Sequence, residues 1–101
     1  MVRKATPRKP KTHNLKIYEN FADAKLKGIK LFEIRDTLER DFAVGDKVRY
    51  KVLSDDGTHF IKHEISNLLF EITYITDFMQ RHNYIVFGEK LVESNSLEGG
   101  K

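Results

Sequence analysis

Apolar and polar residues alternate along most of this chain, and the alternation shifts period at a few points that mark element boundaries. In "HNLKIY" Leu15 and Ile17 share one face while Asn14, Lys16 and Tyr18 share the other, which predicts a first strand over 13–18. "NFADAKLKG" then carries helix punctuation: Asn20 as the cap, Asp23 three positions on, and Gly28 as a left-handed stop. A helix of about two turns is expected, anchored by Phe21. After Gly28 the period returns to two, with Phe32 and Ile34 expected inward and Leu31, Glu33 and Arg35 outward. Phe42 and Val44 are expected to tuck under the connector that follows, and Gly45-Asp46 to turn it into the next strand.

"KVRYKV" has the cleanest alternation, Val48, Tyr50 and Val52 against Lys47, Arg49 and Lys51. "SDDG" behind it is a hairpin turn, because Asp-Gly suits the twist of paired strands. "HEISNLLFEITYIT" is long for one flat strand and apolar on both faces: Leu68, Phe70, Ile72 and Tyr74 on one, Leu69 and Ile75 on the other. It is expected to bend through a bulge near Asn67, and "NYIVFGEKLV" closes the series. Five or six strands with one or two short helices predict a mixed β-barrel of α+β class.

Composition narrows the function classes. A chain of 101 residues suits one domain, and with no cysteine there is neither a disulfide, a thiolate metal site nor a cysteine nucleophile. No apolar run reaches signal-peptide or membrane-spanning length, so a cytoplasmic monomer with no membrane contact is expected. The net charge of +3 hides an asymmetry: Arg3, Lys4, Arg8, Lys9 and Lys11 precede His13 with no acid among them, leaving thirteen basic residues against 15 acidic ones elsewhere. Residues 1–12 therefore read as a disordered basic arm suited to nucleic-acid phosphates, or simply to solubility, 13–93 as the domain and 94–101 as a flexible tail.

The segment "GIKLFEIRD" holds the candidate chemistry. Lys30 lies at the glycine turn and Glu33 and Arg35 share a strand face, so the three can converge on one ligand; the bland alternative is a surface ion pair worth ~0–1 kcal/mol. His13 and Lys16 could line the same cleft, and Tyr18, Phe21 or Phe32 could stack a base, although Phe32 reads as core. His59 and His63 have a metal-like spacing but no carboxylate cluster beside them, so no metal is assigned. Neither a Ser-His-Asp arrangement nor a phosphate-binding glycine loop appears, and no cofactor is implied.

"HNLKI" at 13–17, Phe21, "GIKLFEIR" at 28–35, "RDFAVGD" at 40–46 and "YIVFGE" at 84–89 together resemble the ASCH domains of the PUA-like superfamily, in a small bacterial and phage branch. The resemblance implies a barrel with a helix beside it and a cleft before Gly-x-Lys-x-x-Glu-x-Arg. It also implies an RNA- or nucleotide-binding module in which His13, Lys16, Lys30, Glu33 and Arg35 contact ligand. Some similar proteins are amidohydrolases of acylated pyrimidine nucleosides; their lysine is matched by Lys30, but Glu33 stands where they carry a threonine. A protein-interaction module with no cleft ligand is the remaining alternative.

Overall fold

A computed structural model describes residues 9–38 and 40–94, with side chains to residue 92. Arg3, Lys4 and Arg8 of the expected arm, and residues 95–101 of the expected tail, lie outside the described residues. The elements are β1 (Thr12–Tyr18), α1 (Glu19–Leu26), β2 (Phe32–Asp36), β3 (Lys47–Leu53), β4 (Phe60–Ile61), a 3-10 turn (Glu64–Asn67), β5 (Leu68–Thr76) and β6 (Tyr84–Ser94). They form one mixed sheet in the order β1, β3, β5, β6, β2, with β4 paired to β3. β1 and β3 run parallel and the other pairs antiparallel. The strands curl into a half-barrel, so the expected barrel-like architecture is present while the sheet stays open between its end strands, β1 and β2.

The core lies inside the curl, where Leu15, Ile17, Val48, Tyr50, Val52, Ile72, Ile75 and Phe87 pack together. Alternation dictates most of this, since inward residues of β1 and β3 follow the period of two. In β5 the register slips between Leu69 and Phe70 and again between Ile72 and Tyr74. The second slip reverses the parity: Ile75 turns into the core and Tyr74 turns out, where unbroken alternation had placed Tyr74 with Ile72. The first slip falls just beyond Asn67, which closes the 3-10 turn, close to the expected bulge; the second lies deeper within β5.

The helix also departs from expectation. β1 runs into α1 without a loop, so Tyr18 occupies the capping position in extended conformation and makes no side-chain cap. The Asn20 backbone N–H instead donates to Asp55 Oδ1 at 3.0 Å. Phe21 is 45% exposed and does not anchor the helix; Ala22 and Lys25, three residues apart, are its buried positions. Its end follows the sequence. Gly28 adopts φ +77°, its N–H donates to Lys25 O and that of Ile29 to Ala24 O, the double bond of a Schellman stop.

The connector to β3 is pinned by Asp46, which is 1% exposed. Its carboxylate accepts the N–H groups of Lys11 and Ala43, each at 3.1 Å, and Asp46 Oδ2 lies 2.7 Å from His13 Nε2. Lys11 and Thr12 are thereby part of the domain, not of the arm. Phe42 is buried as expected, but Val44 is exposed, because Gly45 at φ +97° turns the chain and directs Ala43 inward in its place.

Candidate functional site

A cavity of about 580 Å³ opens where the half-barrel fails to close. One wall comes from Lys16, Ile17 and Tyr18 of β1 with Leu53 of β3, the other from Phe32 to Arg35 of β2, and Phe21 and Lys30 stand between them. The glycine stop after α1 places Lys30 at this corner, and the free edge of β2 lets side chains of both parities reach the opening. The structure thus brings together Lys16, Lys30, Glu33 and Arg35. His13 does not line the cavity: it is buried beside Asp46 and packs on Phe42, with ring centroids 4.6 Å apart.

The expected facing of β2 is inverted. Glu33 is 3% exposed, while Phe32 and Ile34, expected in the core, are about half exposed at 46% and 51%. A lone carboxylate could not remain ionised there, since burial disfavours charge. Lys25, reaching in from α1, supplies the compensation: its Nζ lies 2.9 Å from Glu33 Oε2 and 2.5 Å from Glu89 Oε2. Lys30 Nζ approaches Glu33 Oε2 at 3.0 Å, and Arg35 donates to Glu33 Oε1 at 2.9 Å. Burial would raise the Glu33 carboxyl, but the Lys25 ammonium, with the bonds from Lys25, Arg35 and Lys30, outweighs it and holds the group below the usual carboxylate range.

The cluster has two layers. The side chains of Lys25, Glu33 and Glu89 are between 2% and 4% exposed, whereas those of Lys30 and Arg35 are 18% and 22% exposed. The deep layer fixes a carboxylate; the rim cations can turn to an incoming anion. Three cations meet two carboxylates, an excess of one positive charge. Aromatic faces complete the rim, with Lys30 Nζ 4.9 Å from the Phe32 ring centroid and 5.6 Å from that of Phe21. Among the described residues no group of three or more His, Cys, Asp or Glu could hold a metal ion. His63 pairs with Asp23 at 2.7 Å and His59 bonds to Ser54 and Thr58, so the two histidines serve separate contacts.

The family model of a domain of unknown function, DUF3850, matches residues 12–88. The chain belongs to the DUF3850 family. No curated protein matches it. The DUF3850 match begins at the first residue of β1, includes every residue lining the cavity together with Lys25, and ends one residue before Glu89. Among the described residues of this DUF3850 member no helix is long and apolar enough to cross a membrane.

Sequence reasoning missed Lys25 and Glu89. The signals were present: Lys25 shares a helix face with Ala22, and Glu89 continues the inward row of Ile85 and Phe87 on β6. A charge on an apolar face marks a buried partner. Tyr50, read correctly as inward, donates its hydroxyl to Glu89 Oε1 at 2.6 Å. Burial first, and then the charges of Glu33 and Glu89, push the Tyr50 phenol far above its usual range. Because the folded state holds this proton where the unfolded chain releases it near pH ~10, the Tyr50 contribution to stability is present below that pH and lost above it. In a spectrophotometric titration one tyrosine is expected to ionise only together with unfolding, and Tyr50→Phe to abolish that coupled step.

Proposed function

We propose that this DUF3850 domain is an RNA- or nucleotide-binding module of ASCH-like, PUA-like type. The observation that carries the reading is the juxtaposition, around one cavity, of exposed aromatic faces, rim cations and a buried ionised carboxylate. A nucleotide needs these three contacts: a face on which to stack, cations for its phosphate, and an acceptor for the donors on a base edge. Tyr18, Phe21 and Phe32 supply the first, Lys30 and Arg35 the second and Glu33 the third.

The amidohydrolase reading has less support, since a Lys30 acting as a neutral base would forfeit the charge attraction to the Glu33 carboxylate and to both aromatic faces. Binding of a protein strand to a sheet edge is disfavoured too, because Arg40 and Lys30 donate to the carbonyls of Asn14 and Phe32 on the two end strands.

The test is an amide NMR titration with nucleosides, their 5′-monophosphates and an acylated cytidine. Monophosphates are expected to shift resonances at Lys16, Lys30, Glu33 and Arg35. Arg35→Ala should weaken the monophosphate about tenfold, the lower range for a hydrogen bond to a charged group, while barely affecting the nucleoside. Absence of shifts at the cavity would remove the binding reading, and equal weakening of both ligands would remove the phosphate role of Arg35; disappearance of the acyl signal would replace binding with hydrolysis.

A further inference from the structure

The outer face of the β1–β3 ladder carries charge that the fold does not need. Parallel register sets Lys16 opposite Lys51, with Asn14 and Arg49 on the next rung and Thr12 and Lys47 on the one beyond. Lys16 and Lys51 are both exposed, and among the described residues neither makes an ion pair. Like charges directly opposite on neighbouring strands are destabilising, so the pair costs stability in the free protein. Lys47 differs, with its ammonium 3.9 Å from Glu71. The unbalanced charge is thus concentrated at Lys16 and Lys51.

That rung adjoins the cavity. Tyr18 and Leu53 form the neighbouring rung and both line the opening, as does Lys16 itself. Lys51 Nζ stands over the Phe60 ring, 4.4 Å from its centroid, which steadies the ammonium beside a half-exposed aromatic surface. Rungs repeat about every 6.6 Å along a strand, a step comparable to that between phosphates of an extended single strand.

Resting on the nucleotide reading above, we infer that the ligand is a single-stranded polynucleotide and not a free nucleotide, with the phosphodiester next to the cavity held by Lys16 and Lys51 as the backbone leaves over β1 and β3. A single strand is required because a base can enter the cavity only if unstacked and unpaired. Lys30 and Arg35 then hold the phosphate on one side of the bound base, and the Lys16–Lys51 rung the phosphate on the other.

The experiment uses the full chain, a fluorescently labelled random-sequence RNA hexamer read by anisotropy, and the nucleoside 5′-monophosphates read by NMR. The test variant is Lys51→Ala, since Lys51 lies outside the cavity lining. At ~0.1 M salt it should weaken the hexamer about fivefold and reduce the log-log salt slope by about 0.7, the share of one phosphate contact on a single strand. Monophosphate binding should be unchanged, and Lys51→Arg should restore the hexamer affinity. Unaltered hexamer affinity and slope in Lys51→Ala would overturn the backbone path while leaving the cavity reading intact. So would equal weakening of monophosphates, or competition by polyglutamate with the same Lys51 dependence, which would mark a general polyanion surface. Monophosphate binding without hexamer binding overturns this inference alone; failure of both ligands overturns the nucleotide reading as well.

Discussion

Replacing Lys25 by methionine is expected to destabilise the domain by roughly 3–5 kcal/mol at neutral pH, the range for removing one partner of a buried ion pair. The geometry explains a cost of this size. Lys25 Nζ lies between Glu33 Oε2 and Glu89 Oε2, and both carboxylates are almost entirely withdrawn from solvent. Methionine fits the stem of the lysine but leaves the two carboxylates without their central cation; Lys30 and Arg35 reach only Glu33, from the rim. For a domain of ~100 residues with total stability of ~5–15 kcal/mol, such a loss leaves a much reduced folded margin.

The pH dependence distinguishes charge from packing. In the native chain the Glu33 carboxyl lies below its unfolded value, so its stabilisation is present above about pH 4.3 and fades as pH falls through the lowered native value. Without Lys25, burial, the largest influence on Glu33, loses its chief opponent and moves the group up from its lowered native position. The variant's penalty is then greatest at neutral pH and relieved on acidification. Urea denaturation followed by circular dichroism at pH 7 and near pH 4.5 should therefore show the stability gap narrowing. Adding Glu89→Gln to Lys25→Met should recover part of the loss at pH 7, because the carboxylate that Lys30 and Arg35 do not reach is then neutral while Tyr50 retains an oxygen acceptor. A gap that stays constant with pH would make the role of Lys25 one of packing alone.

These contacts also define what could be read from the chain before folding. Period-two alternation located β1 and β3 and their inward residues, and Gly28 and Gly45 marked turns that the backbone makes at positive φ. The face of β2 was not legible in the same way. An apolar-charged-apolar triplet reads locally as Phe32 and Ile34 inward, yet Glu33 is inward because Lys25 precedes it on the helix and Glu89 approaches from the last strand. Charge compensation between distant segments overrode the local pattern, as it does where a strand ends a sheet and its apolar residues line an opening. The slip within β5 was hidden for another reason: apolar residues occupied both parities, so the sequence did not specify where the phase would change. Of the cavity residues, Lys30, Glu33 and Arg35 were recognisable as a group, whereas the deep cation that keeps Glu33 ionised had no local signature beyond its spacing from Ala22.

His13 shows how a plausible ligand contact becomes a structural one, and Asp46→Ala tests that assignment with a second large effect. The Asp46 carboxylate receives the backbone N–H groups of Lys11 and Ala43 and faces His13 Nε2, so three polar groups at the start of β1 and the turn before β3 converge on one buried side chain. Alanine leaves them without an acceptor, at ~1–3 kcal/mol for each buried group unsatisfied, and a loss of roughly 3–4 kcal/mol is expected after local relaxation admits water to some of them. Asp46→Asn, with one acceptor oxygen, should lose about half as much. Hydrogen exchange should accelerate first at Lys11, Ala43 and Lys47, whose N–H donates to the Lys11 carbonyl at 2.8 Å. None of Lys11, His13, Ala43 and Asp46 lines the cavity, so folded Asp46→Asn should bind a nucleoside monophosphate as the parent does, and His13→Ala should lower stability without lowering the affinity of the folded fraction. An affinity loss in His13→Ala larger than its unfolded population explains would return His13 to the ligand site that its position in "HNLKI" suggests.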